Sequence, residues 1–391
     1  MMRGAADMRS WPVPDRVLLV TVGVLLGVGL VMMTSASITL AERHFGNPLH
    51  YFRQQLLAVV AGLLVAGAVL ALPTHRWLRA GPWLAGLAIL LLVLVLVPGL
   101  GQTVNGSTRW LKIAGINVMQ VSEPARLLLL IYVASYVARH GRELRSGLLG
   151  FCKPMLVIGA ACVLLLLQPD FGAAVLLVCI ALAVLFTGGA RLREIFLVGA
   201  GGALALATLA VTSPYRLARL TGFMDPWSDP FNTGFQLIQS LIAIGSGEWF
   251  GLGLGASVQK MFYLPEAHTD FVFAVIAEEF GLLGSLMIIA LYVLIVWRAL
   301  VIARSAVERE RVFQANIAFG IAVWLAVQVF INIGVNMGML PTKGLTLPLL
   351  SYGRSSVLIT LAALAFLLRI DLENRGLVRD EARRRSRGAR R

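Results

Sequence analysis

Apolar residues in this chain come in long unbroken runs rather than in the short alternations of a soluble protein. A helix needs about 20 apolar residues to cross a hydrocarbon core. Runs of that kind occupy 16–38, 53–72, 82–100, 122–139, 153–168, 170–187, 194–211, 270–303, 313–335 and 347–370. The pattern predicts an all-α polytopic membrane protein with about ten transmembrane helices. Several runs are short, and the two that meet at Gln168-Pro169-Asp170 make a tight helical hairpin. The run from 270 to 303 exceeds one crossing, so its helix tilts or protrudes. Phe235 to Ile244 is apolar as well, but it spans only about ten residues and carries Gln236, Gln239 and Ser240. It reads as an interfacial or re-entrant helix.

Charge then orients the bundle. Lys and Arg collect on the cytoplasmic flanks of membrane helices. With the N-terminus inside, 24 of the 34 Lys and Arg fall on inner segments, eight of them in the tail after Arg369. Both termini are cytoplasmic on this count, whereas an eleventh span at 235–244 would put the arginine-rich tail outside. The chain divides into an N-terminal tail (1–15), a membrane domain (16–370) and a basic tail (371–391) attracted to anionic lipid. Two outer segments are longer than turns: 98–121, and a large one at 212–269 between helices 7 and 8.

Composition agrees and removes other classes. Hydrophobic residues make up 58% of the chain and charged ones 14%, about half the charge of a soluble domain. The net charge of +14 belongs to the inner flanks, and no nucleic-acid motif accompanies it, so nucleic acid is not a partner. Cys152, Cys162 and Cys179 lie in or beside apolar runs and offer neither metal spacing nor a disulfide framework. The five histidines show no HExxH or paired arrangement. No small-residue cleavage site follows the run from Val17, which reads as a retained first helix.

The candidate chemistry lies on the outer side. In the first outer segment, Gly106 and Ser107 mark a turn, Trp110 is an interface anchor, and Arg109 and Lys112 supply cations. Ser122 is a candidate N-cap with Glu123 at the first helical position. Glu123 and Arg126, three apart, share a helix face. They form either a surface ion pair or part of an ionic cluster for a phosphate-bearing lipid. In the large segment, Gly251-Leu-Gly-Leu-Gly255 matches a dinucleotide fingerprint only superficially, since no strand precedes it. Its glycines permit a tight backbone beside Lys260. Asp270 stands where a polar loop meets a membrane helix, beside His268 and near Glu266. A carboxylate at that boundary suits a general base better than a cap. Glu278 and Glu279 lie about 12 Å deeper, with Lys343 and Arg354 as possible partners.

These stretches carry a resemblance. NPLHYFRQQ (47–55), NGSTRW (105–110), QPDFG (168–172), FQLIQSLIAIGSG (235–247), GLGLGASVQKMFYLPEAHTDFVFAVIAEEFG (251–281) and NMGMLPTKGLTLPLLSYGRSS (336–356) resemble the SEDS family (shape, elongation, division and sporulation) along nearly the whole chain. SVQK and PTKGLTLP look like the cell-division branch rather than the elongation branch. The resemblance implies a peptidoglycan glycosyltransferase of the bacterial cytoplasmic (inner) membrane, acting at the division septum. Its implied substrate is lipid II, an undecaprenyl-pyrophosphate disaccharide-pentapeptide, polymerised on the outer face. Its implied partners are a class B penicillin-binding protein and other divisome membrane proteins. Asp270 matches the family's essential aspartate, and Glu123 and Arg126 match the acid and lysine of its Q-P-S-E-x-x-K motif. The chain departs from the family at Val121, at Arg126, and at Arg354, where Gly is the rule.

Sugar transfer from a lipid pyrophosphate needs a base for the acceptor hydroxyl and cations for the leaving group. The expected site is Asp270 as base, with Arg109, Lys112, Glu123, Arg126, Lys260, Glu266, His268 and Lys343 around the substrate. A single displacement inverts the anomeric centre, since a covalent route needs a second placed carboxylate. No motif demands a cofactor, although Glu266, Glu123 and Asp270 could share a divalent cation (Mg or Mn) with phosphate. The rivals are a lipid II flippase, with Asp170, Glu278 and Glu279 as relay groups, and a non-enzymatic divisome scaffold.

Overall fold

The structure is a computed structural model that describes residues 14–104, 106–113, 116–211, 223–232, 234–261, 263–341 and 344–376. Lys343, most of the N-terminal tail and the tail from 377 onward lie outside the described residues. The helices in chain order are α1 (Arg16–Phe45), α2 (His50–Ala71), α3 (Thr74–Leu96), α4 (Ser122–Ser146), α5 (Leu148–Leu167) and α6 (Phe171–Thr187). They continue with α7 (Leu192–Val211), α8 (Phe235–Ser246), α9 (Val272–Val307), α10 (Val312–Asn336) and α11 (Arg354–Asn374). Among the described residues seven of them, α1, α2, α3, α5, α9, α10 and α11, are long and apolar enough to cross a membrane. The chain is a polytopic helical membrane protein.

Burial sorts the helices into a centre and a rim. Within the apolar window, 94% of α11 and 67% of α10 is buried, against 28–33% for α1, α2, α3, α5 and α9. The rim helices therefore turn most of their surface to lipid. The more polar α4 is enclosed by α3, α5, α6, α10 and α11, so it needs no apolar outer face. α2 lies along α11 in the same direction: Gln55 accepts from the Gly353 amide at one end, and Gly62 meets Leu358 and Leu361 further down. A Cβ on Gly62 would lie 3.2 Å from the Leu358 Cα and 2.7 Å from the Leu361 Cδ1, so the bare glycine gives the two helices their close approach.

The all-α expectation fails at the first outer segment. Residues 101–120 fold into an antiparallel meander of β1 (Gly101–Val104), β2 (Ser107–Ile113) and β3 (Ile116–Gln120). The reason was present in the sequence: Asn105-Gly106 between short polar–apolar alternations is a hairpin signal, stronger than the plain turn read there. In the pairing of β1 with β2, Gln102 faces Trp110 and Thr103 faces Thr108, so Arg109 is the extra, bulged residue. A bulge re-aims a side chain away from the sheet's alternation.

Helix starts differ in a smaller way. Val121 already has helical φ/ψ and precedes α4, so Ser122 is its first residue rather than its cap. The Ser122 hydroxyl accepts from the Gln120 amide side chain at 3.2 Å instead. The hairpin at 168–170 joins α5 to α6, with Asp170 capping α6 through the Ala173 amide at 3.2 Å. α8, at 12 residues, is about 18 Å long, too short to span, and packs on α9 and α10.

The long run near 270 resolves into a broken helix. α9 has 36 residues and departs from helical geometry at Gly281 (φ 67, ψ −162). The loop 247–253 closes against this break. Leu252 and Gly253 donate to the carbonyls of Glu278 and Glu279 at 2.9 and 3.0 Å, while Leu282 and Leu283 donate to Glu248 and Trp249 at 2.9 and 3.2 Å. Loop backbone thus replaces the bonds that the break removes, as a membrane interior requires. A Cβ on Gly281 would lie 2.4 Å from the Gly251 nitrogen. Val272 through Glu279 are buried in protein, so the lipid-facing crossing begins below the break.

Candidate functional site

Beyond Gln314 and Asn316 near its start, α10 is apolar apart from a polar stripe at every fourth position, Gln328, Asn332 and Asn336, which one helix face holds in line. All three are buried to 1% exposure or less. Asn332 and Asn336 each donate a side-chain N–H to the Asp270 carbonyl at 3.0 Å. Asn332 also donates to the Leu345 carbonyl at 2.6 Å, and Gln328 to the Thr346 carbonyl at 2.8 Å. The stripe therefore pins two loops against each other, the one ending in Asp270 and the one running through Gly344. A buried amide left unpaired would be costly, which makes these bonds strong positional constraints.

Above the stripe the Asp270 carboxylate and the Arg109 guanidinium converge on Gly344. A Cβ at that glycine would lie 3.2 Å from Asp270 Oδ2 and 3.9 Å from Arg109 Nη1. Arg109, delivered by the bulge of β2, donates to the Pro169 carbonyl at 2.6 Å and to Ser107 Oγ at 3.2 Å. Its Nε lies 3.9 Å from Asp170 Oδ2, and its side chain keeps 24% exposure. Burial, the Glu266 and Asp170 carboxylates all push the Asp270 carboxyl up, Arg109 pulls it down, and it stands at about 7. Burial dominates because it penalises the charged form.

Glu266 takes left-handed backbone (φ 57), and its carbonyl accepts from the amides of Thr269, Asp270 and Phe271 at 3.1 to 3.2 Å. This turn presents Asp270 at the start of α9. The Glu266 carboxylate accepts from the Thr269 hydroxyl at 2.7 Å. His268 is buried between the rings of Tyr51 and Tyr352, at 4.9 and 5.6 Å between centroids. Burial lowers its pKa, against the pull of Glu266. Arg109 and Glu266 thus gather about Asp270, while His268 stands near Glu266 with its ring between two tyrosines.

The other expected residues have different surroundings. Arg126 is 2% exposed, bound to Glu123 at 3.2 Å and to Gln328 at 2.9 Å, with its guanidinium 5.1 Å from the Trp324 ring centre. Glu123 and Arg126 line a cavity of about 10 Å³ together with Asp170 and Gly344, room for one water. Lys260 is buried and bound to Glu279 at 2.7 Å and to Ser35 at 2.8 Å. That corrects the expected partners of the paired glutamates. Glu279 takes Lys260, and Glu278 accepts from the Ser257 hydroxyl at 2.5 Å and the Val258 amide at 2.9 Å. Among the described residues Lys112, on β2, takes part in none of the cluster's ion pairs or side-chain hydrogen bonds. Among the described residues no three His, Cys, Asp or Glu side chains are placed to hold a metal ion. The sequence reading missed Asn332, Asn336 and Gln328 and gave Asp170 only a relay role. The four-residue spacing of amides within an apolar helix was the available signal.

The profile of the cell cycle protein family of FtsW, RodA and SpoVE matches residues 16–376. The chain is 55% identical over 359 residues to the probable peptidoglycan glycosyltransferase FtsW of Thioalkalivibrio sulfidiphilus, covering 92% of this chain and 90% of the relative. It is 48% identical over 374 residues to the Legionella pneumophila protein of the same name, covering 95% and 94%. Among solved structures, a chain of a peptidoglycan synthase complex that coordinates polymerization and crosslinking matches with TM-score 0.76 at 32% identity, over 93% of this chain and 99% of that one. The rod shape determining protein RodA of Thermus thermophilus matches with TM-score 0.70 at 29% identity, over 95% and 99%.

Proposed function

The chain belongs to the cell cycle protein family of FtsW, RodA and SpoVE, and on that premise we propose that Asp270 is the general base of its glycosyltransferase reaction. The enzyme is a peptidoglycan glycosyltransferase of cell division, like its FtsW relatives. In the proposed reaction it extends glycan strands from lipid II on the outer face of the cytoplasmic membrane, at the septum. Ten of its helices cross, α8 excepted, with both termini inside, and a class B penicillin-binding protein is the crosslinking partner. The likeness to a synthase complex that couples polymerization to crosslinking supports that partner.

The observation that carries the reading is a carboxyl at about 7 facing a guanidinium across a glycine. Asp270 takes the proton of the acceptor hydroxyl as that oxygen attacks the anomeric carbon. The bond to pyrophosphate breaks on the opposite face, and the centre inverts. Arg109 meets the charge that develops on the departing pyrophosphate. The cavity lined by Glu123, Arg126 and Asp170 takes one water, whereas the Arg109 guanidinium keeps an exposed side on which substrate binds. Glu266 and His268 tune and frame the base, and Glu123 and Arg126 brace Gln328 from behind. The flippase reading is disfavoured because its three relay acids have separate fixed partners: Lys260 for Glu279, Ser257 for Glu278 and Arg109 for Asp170.

The test is Asp270→Asn in protein purified with its penicillin-binding partner and labelled lipid II. Asn keeps the shape and the backbone bonds but cannot take the proton. Polymerisation should fall by the ~10²–10⁴-fold typical of a lost base, with expression and partner binding unchanged. Polymer formed by Asp270→Asn at the wild-type rate removes the assignment.

A further inference from the structure

We propose that a cleft between α2, α11 and the start of α4 binds an anionic phospholipid, holding one acyl chain along its walls and the phosphate on Arg354. The cleft measures about 350 Å³. Leu57, Pro124, Leu358 and Ile359 supply apolar wall, and Gln54 and Arg354 are polar members of the same lining. α2 and α11 run in the same direction here, so Gln54 lies one turn before Leu57, and Arg354 one turn before Leu358. The polar residues therefore share one end of the cleft, the end nearest the starts of both helices. Leu57 is 71% exposed on a membrane-crossing helix, so the cleft opens sideways to lipid.

Charge chooses the occupant. Arg354 is the single ionisable residue in the lining among the described residues. It matches the net negative charge of an anionic phospholipid, whose phosphate diester, unlike that of phosphatidylcholine, has no cationic group beside it. A long cationic side chain at the rim of an apolar surface is the arrangement in which aliphatic stem and charged head are both satisfied. One cation suits a single phosphate, whereas a pyrophosphate calls for more than one. Gln54 contributes position rather than binding, since its side chain is already bonded to His50 and to the Tyr352 hydroxyl, each at 2.7 Å. The same link runs on to His268, whose ring lies 5.6 Å from that of Tyr352. An occupied cleft would therefore abut the frame of the Asp270 site without entering it.

The test uses the full chain in phosphatidylcholine nanodiscs doped with phosphatidylglycerol bearing a photoactivatable acyl chain, and, in parallel, with phosphatidylcholine bearing the same group. Labelled peptides are mapped by mass spectrometry, which separates this cleft from lipid gathered by the basic tail. Phosphatidylglycerol should label the segments around Leu57 and Leu358 about tenfold more than phosphatidylcholine, the factor expected of one charge-assisted contact. Arg354→Gly should bring the two lipids level, and Leu358→Trp, which fills the cleft, should abolish labelling by both. Equal labelling in the wild-type protein, or labelling indifferent to Arg354→Gly, overturns the proposal. So does displacement by excess polyprenyl pyrophosphate, which would assign the cleft to the substrate.

Discussion

A base that must be ionised to work, and whose carboxyl stands at about 7, gives polymerisation a steep acid limb. Near pH 6 about a tenth of Asp270 is ionised, at pH 7 about half, and at pH 8 about nine-tenths, so the rate should rise roughly tenfold across that window. The neighbours set the sign of each perturbation. Glu266 holds the carboxyl up and Arg109 pulls it down. Removing one charge at such a partly solvated boundary is worth about 1 kcal/mol, or about 0.7 of a pH unit. Glu266→Gln should therefore move the limb toward acid and raise the rate at pH 6 by about 3–4-fold while leaving it unchanged above pH 8. Stability carries the same signature. The folded state holds a proton between about 4 and 7 that the unfolded chain has released, so Asp270 weakens the fold progressively as pH rises through that range. Three units correspond to about 4 kcal/mol, reduced by the residual water contact of a half-buried carboxylate to the order of 2 kcal/mol. Asp270→Asn should accordingly melt above the wild type at pH 8, with the gap closing toward pH 4. The assays are initial rates on labelled lipid II with the partner present, from pH 5.5 to 8.5, and thermal unfolding in detergent over the range 4–8. A profile flat between pH 6 and 8, or a limb that Glu266→Gln moves toward alkali, refutes the reasoning.

Three further outcomes follow from the other charged groups. Lys260→Met leaves the buried Glu279 without its cation and with the Ser35 hydroxyl as its remaining partner among the described residues, which should cost about 3–5 kcal/mol in thermal unfolding, and adding Glu279→Gln should recover most of it. A Lys260→Met protein as stable as the wild type would show that the pair does not hold the loop. Arg126→Ala should lose a similar amount through the stranded Glu123 and Gln328, with an unchanged KM for lipid II in whatever folds. Normal folding with a raised KM would return Arg126 to the substrate. A cysteine at the exposed Ser228 should react with an impermeant thiol reagent from outside the cytoplasmic membrane, and labelling only after permeabilisation would invert the topology.

Much of the bundle was legible because lipid imposes a simple rule: a crossing segment must be apolar and long. The boundaries at Gln168-Pro169-Asp170 and the short helix at 235–246 follow from that rule directly. Asp270 was legible because a carboxylate at a loop–helix boundary beside His268 has few bland explanations. The meander at 101–120 is not legible from a turn at Gly106 and Ser107 alone, since its strands are short and their pairing lies outside any one segment. Long-range pairing was the least accessible. Glu279 meets Lys260 because the loop folds back onto α9, and charge alone does not select among the cations of the chain. Arg109 joins Asp270 through a strand bulge that depends on register, which no single segment announces.

The break in α9 connects these separate features. A continuous helix of 36 residues would be about 54 Å long, well beyond a hydrocarbon core of about 30 Å. Its first turns would then stand exposed, with Glu278 and Glu279 facing lipid or water. Breaking at Gly281 instead lets 247–261 wrap the upper segment, so that both glutamates find partners in that loop. The wrap depends on bare backbone, because a Cβ at Gly247, Gly251 or Gly281 would meet main-chain atoms at 1.9 to 2.4 Å. The upper segment is thus held from below by the loop and from above by Asn332 and Asn336 on the Asp270 carbonyl. A base works only when its position relative to the acceptor oxygen is fixed to fractions of an ångström. Holding the short segment that follows Asp270 at both ends meets that need where a loop-borne carboxylate would not, and it gives the buried Glu278, Glu279, Asn332 and Asn336 a common purpose beneath a site that they do not themselves enter.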